Sequence, residues 1–250
     1  MDRFYISAEN WNRGRLALTG SEAHHARDVL RMRVGERLAL FNGRGREITA
    51  EIVELGDAEI TLRKLHEGET PPLRSRIVLG QAIPKGKNME LIVQKAVEIG
   101  AAEIAPIISE RTIVQLDSKS VAQKQSKWKQ IAIEAAKQCG QNWLPHIHLP
   151  RKLTEFFSVT TEGSFDLQLM GSLQPSAQHL KRVLTDYSSE HQRRPQSVLM
   201  LVGPEGDFTP AELALAQRHG CQPITLGPII LRAETAAIYC LSVLSYELLI

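Results

Sequence analysis

Two short loops rich in glycine and proline constrain this chain more strongly than any other feature of its sequence. The first, Gly203-Pro204-Glu205-Gly206, follows the apolar run Ser197–Val202, which is typical of a strand buried on both faces of a parallel sheet. The second, which begins Leu226-Gly227-Pro228, follows a strand predicted over Pro223–Leu226. Because ligands of open α/β sheets bind where the strands end at their carboxyl edge, the two loops predict a ligand site.

A helix separates the two loops, and both of its ends are marked in the sequence. Thr209 is placed to cap the first turn, Pro210 takes the first helical position, and Glu212 completes the pattern of a capping box. Gly220 is the residue type that commonly ends a helix. The segment therefore predicts the order strand, loop, helix, strand, loop, helix.

The glycines allow the two loops to approach a ligand closely. Gly203, Gly206 and Gly227 carry no Cβ, so neighbouring main-chain amides and carbonyls can contact a flat ligand. A single Gly-Pro pair is equally typical of an ordinary turn. Two such loops after successive strands of one sheet favour a binding function over that alternative.

Composition narrows the class of protein. The 250 residues are 43% hydrophobic and 23% charged, and no apolar run is long enough to span a bilayer. Cys139, Cys221 and Cys240 lie far apart without metal-ligand spacing, which predicts reduced thiols, a cytoplasmic location and no bound metal. The net charge is only +2, so any nucleic-acid surface must come from local clustering of basic residues.

The N-terminal part of the chain predicts a small barrel of short strands. Alternation at Leu38 and Leu40, and again at Ile48, Ala50 and Ile52, is typical of half-buried antiparallel strands. One helix interrupts the barrel, with Ser21 as its predicted N-cap. The predicted strands are Phe4–Ser7, Arg15–Thr19, Arg37–Phe41, Glu47–Leu55 and Glu59–Leu65.

A proline-containing linker, Glu69-Thr70-Pro71-Pro72, precedes a part of the chain in which strands and helices alternate. This alternation predicts an α/β sheet, with domains at residues 1–72 and 73–250. Besides the elements around the two loops, the predicted strands cover 77–82, 104–108 and 166–170, and the predicted helices cover 87–99, 120–139 and 236–249.

The two loops together resemble the signature of the RsmE family. The resemblance is carried by Gly203-Pro204-Glu205-Gly206 and by Leu-Gly-Pro-Ile-Ile-Leu-Arg-Ala-Glu-Thr-Ala from Leu226 to Ala236. It implies a 16S ribosomal RNA uridine N-3 methyltransferase of the SPOUT superfamily. The implied fold is a C-terminal α/β domain with a trefoil knot that holds S-adenosylmethionine, preceded by a PUA-like β-barrel domain that binds RNA.

Further blocks extend the resemblance over nearly the whole chain. Lys95-Ala96-Val97-Glu98-Ile99-Gly100 looks like the family's lysine-rich first helix, and Ser109-Glu110-Arg111-Thr112 looks like its Ser-Glu-Arg loop. Four positions differ from the usual pattern. The chain has Lys137, Gln141, Asp207 and Ile229 where Glu, Arg, Gly and Arg are typical of the family.

The resemblance also implies particular site residues. Those implied to hold S-adenosylmethionine are Met170, Leu201, Gly203, Pro204, Glu205, Gly206, Leu226, Gly227, Ile230, Leu231 and Ala236. Those implied to contact RNA are Arg27, Arg31, Lys95 and Arg111. A solvated basic face is the competing interpretation of these cations.

Methylation of uridine N-3 requires the imide proton of uracil to leave while the methyl group is held in line. Arg232 stays protonated and cannot easily act as the base, but it could stabilise the uridinate charge. Glu234 or a water molecule is the more plausible proton acceptor. An acid beside Thr235 would equally favour the start of a helix, which is the competing interpretation of Glu234.

The resemblance implies a homodimer through the C-terminal domain, because SPOUT sites are generally completed across a two-fold interface. The last predicted helix supports this with more apolar positions than one core-facing stripe requires. Two other functions remain open: a module that binds RNA or the ribosome without catalysis, and a nucleotide-dependent redox enzyme. The second lacks its fingerprint, because Gly43-x-Gly45 is not followed by a third glycine.

Overall fold

The protein is described by a computed structural model that covers residues 1–11, 16–112, 118–159 and 163–249. Its contacts divide the chain into two compact units: Met1–Pro72 with Ile133–Leu144, and Leu73–Ala132 with Pro145–Ile250. The segment 133–144, predicted to belong to the second domain, therefore groups with the first unit. Hydrogen bonds explain this grouping, because the Trp143 indole N–H donates to the Thr70 carbonyl at 2.8 Å and Asn142 donates to the Thr70 hydroxyl at 2.9 Å.

The first unit is built on one five-stranded sheet and a short helical segment. Its strands are β1 (Arg3–Tyr5), β2 (Ala17–Thr19), β3 (Arg37–Phe41), β4 (Arg46–Leu55) and β5 (Glu59–Glu69). They lie in the order β1-β3-β4-β5-β2, with β1 parallel to β3 and the other pairs antiparallel. Helix α1 (Gly20–His24) continues into a π-helical turn at His25–Val29.

The core of the first unit follows the hydrophobic alternation of β4. Ile48, Ala50 and Ile52 are buried, whereas their neighbours along the strand are partly buried or, at Val53, exposed, which confirms the predicted pattern. In β3 the burial extends to both faces, because the Phe41 ring is covered by the Tyr5 ring at 5.5 Å and the Arg3 guanidinium at 5.1 Å. The prediction of a half-buried strand was therefore wrong for β3.

Helix α1 begins earlier than predicted. Gly20 has a φ of 56°, and this left-handed conformation turns the chain from β2 into the helix at little steric cost. The N-cap is Thr19, which makes no side-chain capping bond, and Ser21 lies inside the first turn. The prediction of Ser21 as N-cap was wrong. The predicted start of β2 at Arg15 lies outside the described residues.

The second unit contains an eight-stranded sheet in which every described pair is parallel. Its strands are β6 (Arg76–Ala82), β7 (Glu103–Ile108), β8 (His146–Ile147), β9 (Arg151–Lys152), β10 (Leu167–Gly171), β11 (Gln178–His179), β12 (Ser197–Val202) and β13 (Gln222–Thr225). Their order is β11-β13-β10-β12-β6-β7-β8, and β9 pairs with the end of β7. The helices are α2 (Asn88–Ile99), α4 (Leu153–Val159), α5 (Leu180–His191), α6 (Pro210–Arg218) and α7 (Ala233–Leu248), together with α3 (Ser118–Cys139), whose residues from Ile133 onward group with the first unit.

Both faces of the parallel sheet are covered, as the apolar run of β12 predicted. Helices α2 and α7 pack against each other, and α7 contacts β6 and β12. A second core cluster places Leu199 and Leu201 with Phe156 of α4 and Leu213 of α6. Gly80 of β6 makes room for this packing, because a Cβ there would lie 2.3 Å from a methyl carbon of Leu201.

The direction of winding changes at β10. The chain sets β12 on one side of β10 and then returns to set β13 on its other side. Such a reversal leaves a crevice at the carboxyl ends of the strands involved, which is where open sheets bind ligands. The C-terminal knot implied by the resemblance stays a prediction.

The ends of several elements were predicted closely from the sequence. The strand Ser197–Val202 and the capping box of Thr209 and Glu212 are confirmed. Helix α7 starts at Ala233 and not at the predicted Ala236, because Arg232 occupies the N-cap position without a side-chain capping bond that the sequence could have signalled. The two-residue strands β8, β9 and β11 were not predicted.

Candidate active site

A cavity lies at the carboxyl ends of β10, β12 and β13, at the edge where open α/β sheets bind their ligands. Three loops form its walls, and the start of α7 forms its floor. The lining residues are Gly171, Ser172, Leu173, Val202, Gly203, Pro204, Glu205, Asp207, Ile224, Thr225, Leu226, Gly227, Ile229, Ile230, Leu231, Ala233 and Ala236.

The first wall is the loop 203–207, which a tight turn shapes. The Asp207 N–H donates to the Pro204 carbonyl at 2.9 Å, and Asp207 itself has a φ of 61°. Its carboxylate accepts a bond from the Phe208 N–H at 2.8 Å. Asp tolerates this left-handed conformation better than most residues because its short side chain bonds the adjacent backbone, so it can stand where the family typically has Gly.

Two contacts from other segments hold this loop in place. The Lys85 N–H donates to the Glu205 carboxylate at 2.9 Å. The Arg111 guanidinium donates to the Gly206 carbonyl. The loop is therefore fixed by the segments that follow β6 and β7.

Arg111 is itself positioned by the buried carboxylate of Glu212. Glu212 accepts hydrogen bonds from the Thr209 N–H at 2.9 Å, the Glu110 N–H at 2.9 Å and the Ser109 hydroxyl at 3.2 Å. Only 6% of Glu212 is exposed, so these donors replace the water that a carboxylate would otherwise require. One residue of the capping box thus anchors the Ser109–Thr112 loop.

The second wall is the loop that follows β13. Gly227 has a φ of 118°, and its N–H donates to the Thr225 hydroxyl at 3.3 Å. Ile229 and Ile230 are each 75% exposed although they line the cavity. Large apolar side chains at the mouth of a cavity suit an aromatic ligand better than bulk water.

The third wall, Gly171-Ser172-Leu173, was missed in the sequence analysis. The Ser172 N–H donates to the Ile224 carbonyl at 2.9 Å, so this segment is fixed to the end of β13. A glycine at the end of the apolar strand β10 was the available signal. The local sequence does not predict that β10 pairs with β13, and this pairing is what brings the glycine to the cavity.

Eight of the eleven predicted cofactor residues line the cavity. They are Gly203, Pro204, Glu205, Leu226, Gly227, Ile230, Leu231 and Ala236. Met170 and Leu201 do not, because both are fully buried inside their strands. Gly206 also lies outside the lining, where its carbonyl accepts the bond from Arg111.

The two predicted catalytic residues flank the cavity without lining it. Arg232 is exposed, and its guanidinium makes no hydrogen bond or ion pair with any residue in the described ranges. Glu234, in the first turn of α7, accepts a hydrogen bond from the Asn88 amide at 3.2 Å. Arg232 and Glu234 therefore do not pair with each other.

The four cations predicted to contact RNA differ in their surroundings. In the first unit, Arg27 donates to the carbonyls of Gly56 and Asp57 and to the Asp28 carboxylate, whereas Arg31 is exposed with a φ of 55°. The hydrogen bond from Arg27 lowers the pKa of Asp28. In the second unit, Lys95 pairs with Glu98 at 2.7 Å, and Arg111 holds the loop described above.

The cysteines and histidines of the described residues form no catalytic or metal cluster. Burial raises the pKa of Cys221 and of Cys240 to about 12, so both thiols stay neutral at physiological pH. No group of three or more metal-ligating side chains occurs in the part of the chain that the structure describes. No helix in that part combines the length and apolar character required to cross a bilayer.

Comparison with known proteins assigns families to both parts of the chain. Residues 71–245 match the family described as RNA methyltransferase domain, and residues 18–65 match the family described as RNA methyltransferase PUA domain. The ribosomal RNA small subunit methyltransferase E of Bacillus subtilis is 30% identical over 92% of this chain and 90% of its own length.

Solved structures similar to this chain include two with a bound ligand. A Legionella pneumophila methyltransferase in complex with S-adenosylmethionine is 36% identical, with a TM-score of 0.86 over 98% of this chain and 97% of that one. The ribosomal RNA small subunit methyltransferase E of Neisseria gonorrhoeae, bound to S-adenosyl methionine, is 29% identical, with a TM-score of 0.85 over 99% and 98% of the two chains.

Proposed function

We propose, from the premise that this chain belongs to the ribosomal RNA small subunit methyltransferase E family, that it methylates N-3 of a uridine in 16S ribosomal RNA with S-adenosylmethionine as donor. The N-terminal PUA domain and the C-terminal α/β methyltransferase domain fit this activity. The observation that carries the proposal is the cavity at the carboxyl ends of β10, β12 and β13, where two glycine loops meet.

The lining of that cavity suits S-adenosylmethionine. Main-chain groups near Gly203, Leu226 and Leu231 can bond the adenine and ribose, and the exposed Ile230 can cover a flat ring. S-adenosylmethionine supplies the methyl group on a positively charged sulfur. Because Lys85 and Arg111 form hydrogen bonds to Glu205 and Gly206, the loop around these two residues is ordered before any ligand arrives.

The reaction requires one proton to leave and one bond to be exchanged. As the N-3 proton of uracil passes to Glu234 or to a water molecule, the N-3 electron pair attacks the methyl carbon. The bond between that carbon and sulfur breaks, and its electrons stay on sulfur, which becomes neutral. Arg232, whose guanidinium has no partner among the described residues, stabilises the negative charge that develops on the uracil ring.

The substrate in this proposal is the RNA within the small ribosomal subunit, and the location is the cytoplasm. The PUA domain supports an RNA partner. Exposed cations support it as well, because RNA binding draws on local positive charge more than on the net charge of +2. Arg31 and Arg111 are the predicted contacts that are exposed.

A homodimer through the C-terminal unit is part of the proposal. Tyr239, Val243 and Tyr246 lie at helical spacing on α7, and the two tyrosines are 41% and 71% exposed. The opposite side of the same helix is buried at Cys240 and Leu244. An apolar stripe left open on a helix that already has a core-facing side is typical of an interface.

The proposal is tested with small subunits purified from a strain that lacks the enzyme of this family. The protein is incubated with these subunits and S-adenosylmethionine carrying a labelled methyl group, and the digested RNA is resolved into nucleosides by mass spectrometry. We expect about one 3-methyluridine per subunit. Label on another atom or another nucleotide would contradict the proposal.

Calorimetry with S-adenosylmethionine separates catalysis from a binding module that holds RNA without chemistry. We expect saturable binding of one molecule per chain. A protein that binds small subunits but not S-adenosylmethionine would favour the non-catalytic alternative.

A further inference from the structure

The segment Lys85–Asn88, which joins β6 to the first residue of α2, bonds to the first loop of the candidate site and to the first turn of α7. At its start, the Lys85 N–H donates to the Glu205 carboxylate at 2.9 Å. At its end, the Asn88 side-chain amide donates to the Glu234 carboxylate at 3.2 Å. These two carboxylates belong to the loop after β12 and to the first turn of α7. One four-residue segment therefore bonds to the carboxylates of both Glu205 and Glu234.

The sheet explains how this segment reaches both carboxylates. Strand β6 lies beside β12 and parallel to it, so both strands end at the same edge. Gly86, with a φ of 65° and open space around it, turns the chain back into α2 within a few residues. Helix α2 then packs against α7, which brings its first residue, Asn88, to the first turn of α7.

The contact between Asn88 and Glu234 holds the carboxylate without neutralising its charge. A neutral amide donates one directional hydrogen bond to Oε2, and Oε1 accepts no bond from any residue in the described ranges. A lysine or arginine at position 88 would instead neutralise the carboxylate with a full charge. The observed arrangement fixes the side chain and leaves one oxygen available.

We propose that Asn88 is a positioning residue that holds Glu234 in the orientation required to take the uracil N-3 proton. This inference rests on the proposed function. The proton passes from N-3 to the free Oε1 of Glu234, while Asn88 keeps its own protons and its bond to Oε2. Because the carboxylate is oriented before the substrate arrives, less freedom is lost on reaching the transition state.

A purely structural role is the alternative, in which the bond only ties α2 to α7. The two roles differ in what accompanies a loss of activity. A tie between helices affects thermal stability and cofactor affinity together. A positioning residue affects the rate of methyl transfer and acts only through Glu234.

The test is a double-mutant cycle on the full chain with small subunits as substrate. Single-turnover rates at saturating S-adenosylmethionine are measured for the wild type, Asn88→Ala, Glu234→Ala and the double variant, with cofactor affinity from calorimetry and thermal melts alongside. We expect Asn88→Ala to lower the rate roughly tenfold, the scale of one hydrogen bond to a charged group. Cofactor affinity should stay within about twofold, and Asn88→Ala should cause no further loss in the Glu234→Ala background.

Two further variants sharpen the result. Asn88→Asp keeps the size of the side chain but replaces the donor with a like charge, so its rate should fall below that of Asn88→Ala. Gln94→Ala removes an exposed amide from the same helix and should behave as the wild type.

The inference is overturned if Asn88→Ala is as fast as the wild type, if its loss persists without Glu234, or if rate, affinity and melting temperature fall in parallel. A wild-type protein that makes no 3-methyluridine would instead refute the proposed function, and this inference with it. An active wild type with an unaffected Asn88→Ala variant would refute the inference alone.

Discussion

Substitution of Arg232 should affect activity without affecting stability. Its side chain is exposed and makes no hydrogen bond or ion pair within the described residues, so Arg232→Ala removes no such bond among them. Its backbone carbonyl accepts the Ala236 N–H at 2.8 Å, and alanine keeps that bond. We therefore expect the free energy of unfolding to change by less than about 0.5 kcal/mol, as for other exposed substitutions.

The expected effect of Arg232→Ala on methyl transfer is much larger. Removing one fixed donor that stabilises a developing anion costs about 3 kcal/mol of activation free energy. This corresponds to a rate constant roughly 150-fold lower. Affinity for S-adenosylmethionine should stay near that of the wild type, because Arg232 does not line the cavity.

The assay is single-turnover transfer of labelled methyl to small subunits, with calorimetry for the cofactor and denaturant unfolding for stability. Arg74→Ala is the matched control, since Arg74 is an exposed arginine of the same unit away from the cavity lining. The reasoning is refuted if Arg232→Ala retains a rate within about threefold of the control. It is equally refuted if the variant loses stability and cofactor affinity together.

Four further results are expected. Asp207→Ala should lower the free energy of unfolding by about 1–2 kcal/mol, because alanine fits the left-handed conformation poorly, whereas Asp207→Gly should cost less; equal losses in denaturant unfolding would contradict this. Hydrogen bonds from Arg193 lower the pKa of Asp166 to about 2. The contribution of this carboxylate to the stability of the fold is therefore complete at pH values above its ordinary pKa of 3.8, and it is lost as the pH falls towards 2. The free energy of unfolding should therefore fall less between pH 5 and pH 2.5 for Asp166→Asn than for the wild type. Light scattering should give twice the chain mass, and Tyr246→Glu should shift it towards the monomer. A chelator should leave methyl transfer unchanged, and recovery of a lost rate by a divalent ion would show that a metal is required.

Local sequence predicted the elements whose causes are local. The apolar run of β12 and the capping box at Thr209 and Glu212 depend on residues next to each other, and both were located correctly. The start of α7 was misplaced by three residues because Arg232 caps it without a side-chain bond. Ser21 was mistaken for a cap because the conformation of Gly20 decides that turn.

The parts of the candidate site that could not be predicted depend on contacts between distant residues. Ser172 joins the cavity through its bond to Ile224, and Arg111 reaches the first loop because Glu212 anchors Ser109 and Glu110. The bond from Asn88 to Glu234 spans 146 residues of sequence. Motifs and periodicity do not predict such contacts, because the contacts depend on the order of the strands in the sheet.

The strand order also affects how the chain folds as it is synthesised. Arg76 of β6 pairs with Ser197 of β12, and Ser197 lies 121 residues further along the chain. One edge of β6 therefore has no partner until β12, in the last quarter of the chain, has been synthesised. At ordinary translation rates that interval is roughly 6 to 24 s. An unpaired apolar edge exposed for so long is a site of aggregation and of chaperone binding. Truncation before β12 should therefore yield a nascent chain that associates with chaperones, even though β6, β7 and α2 are complete.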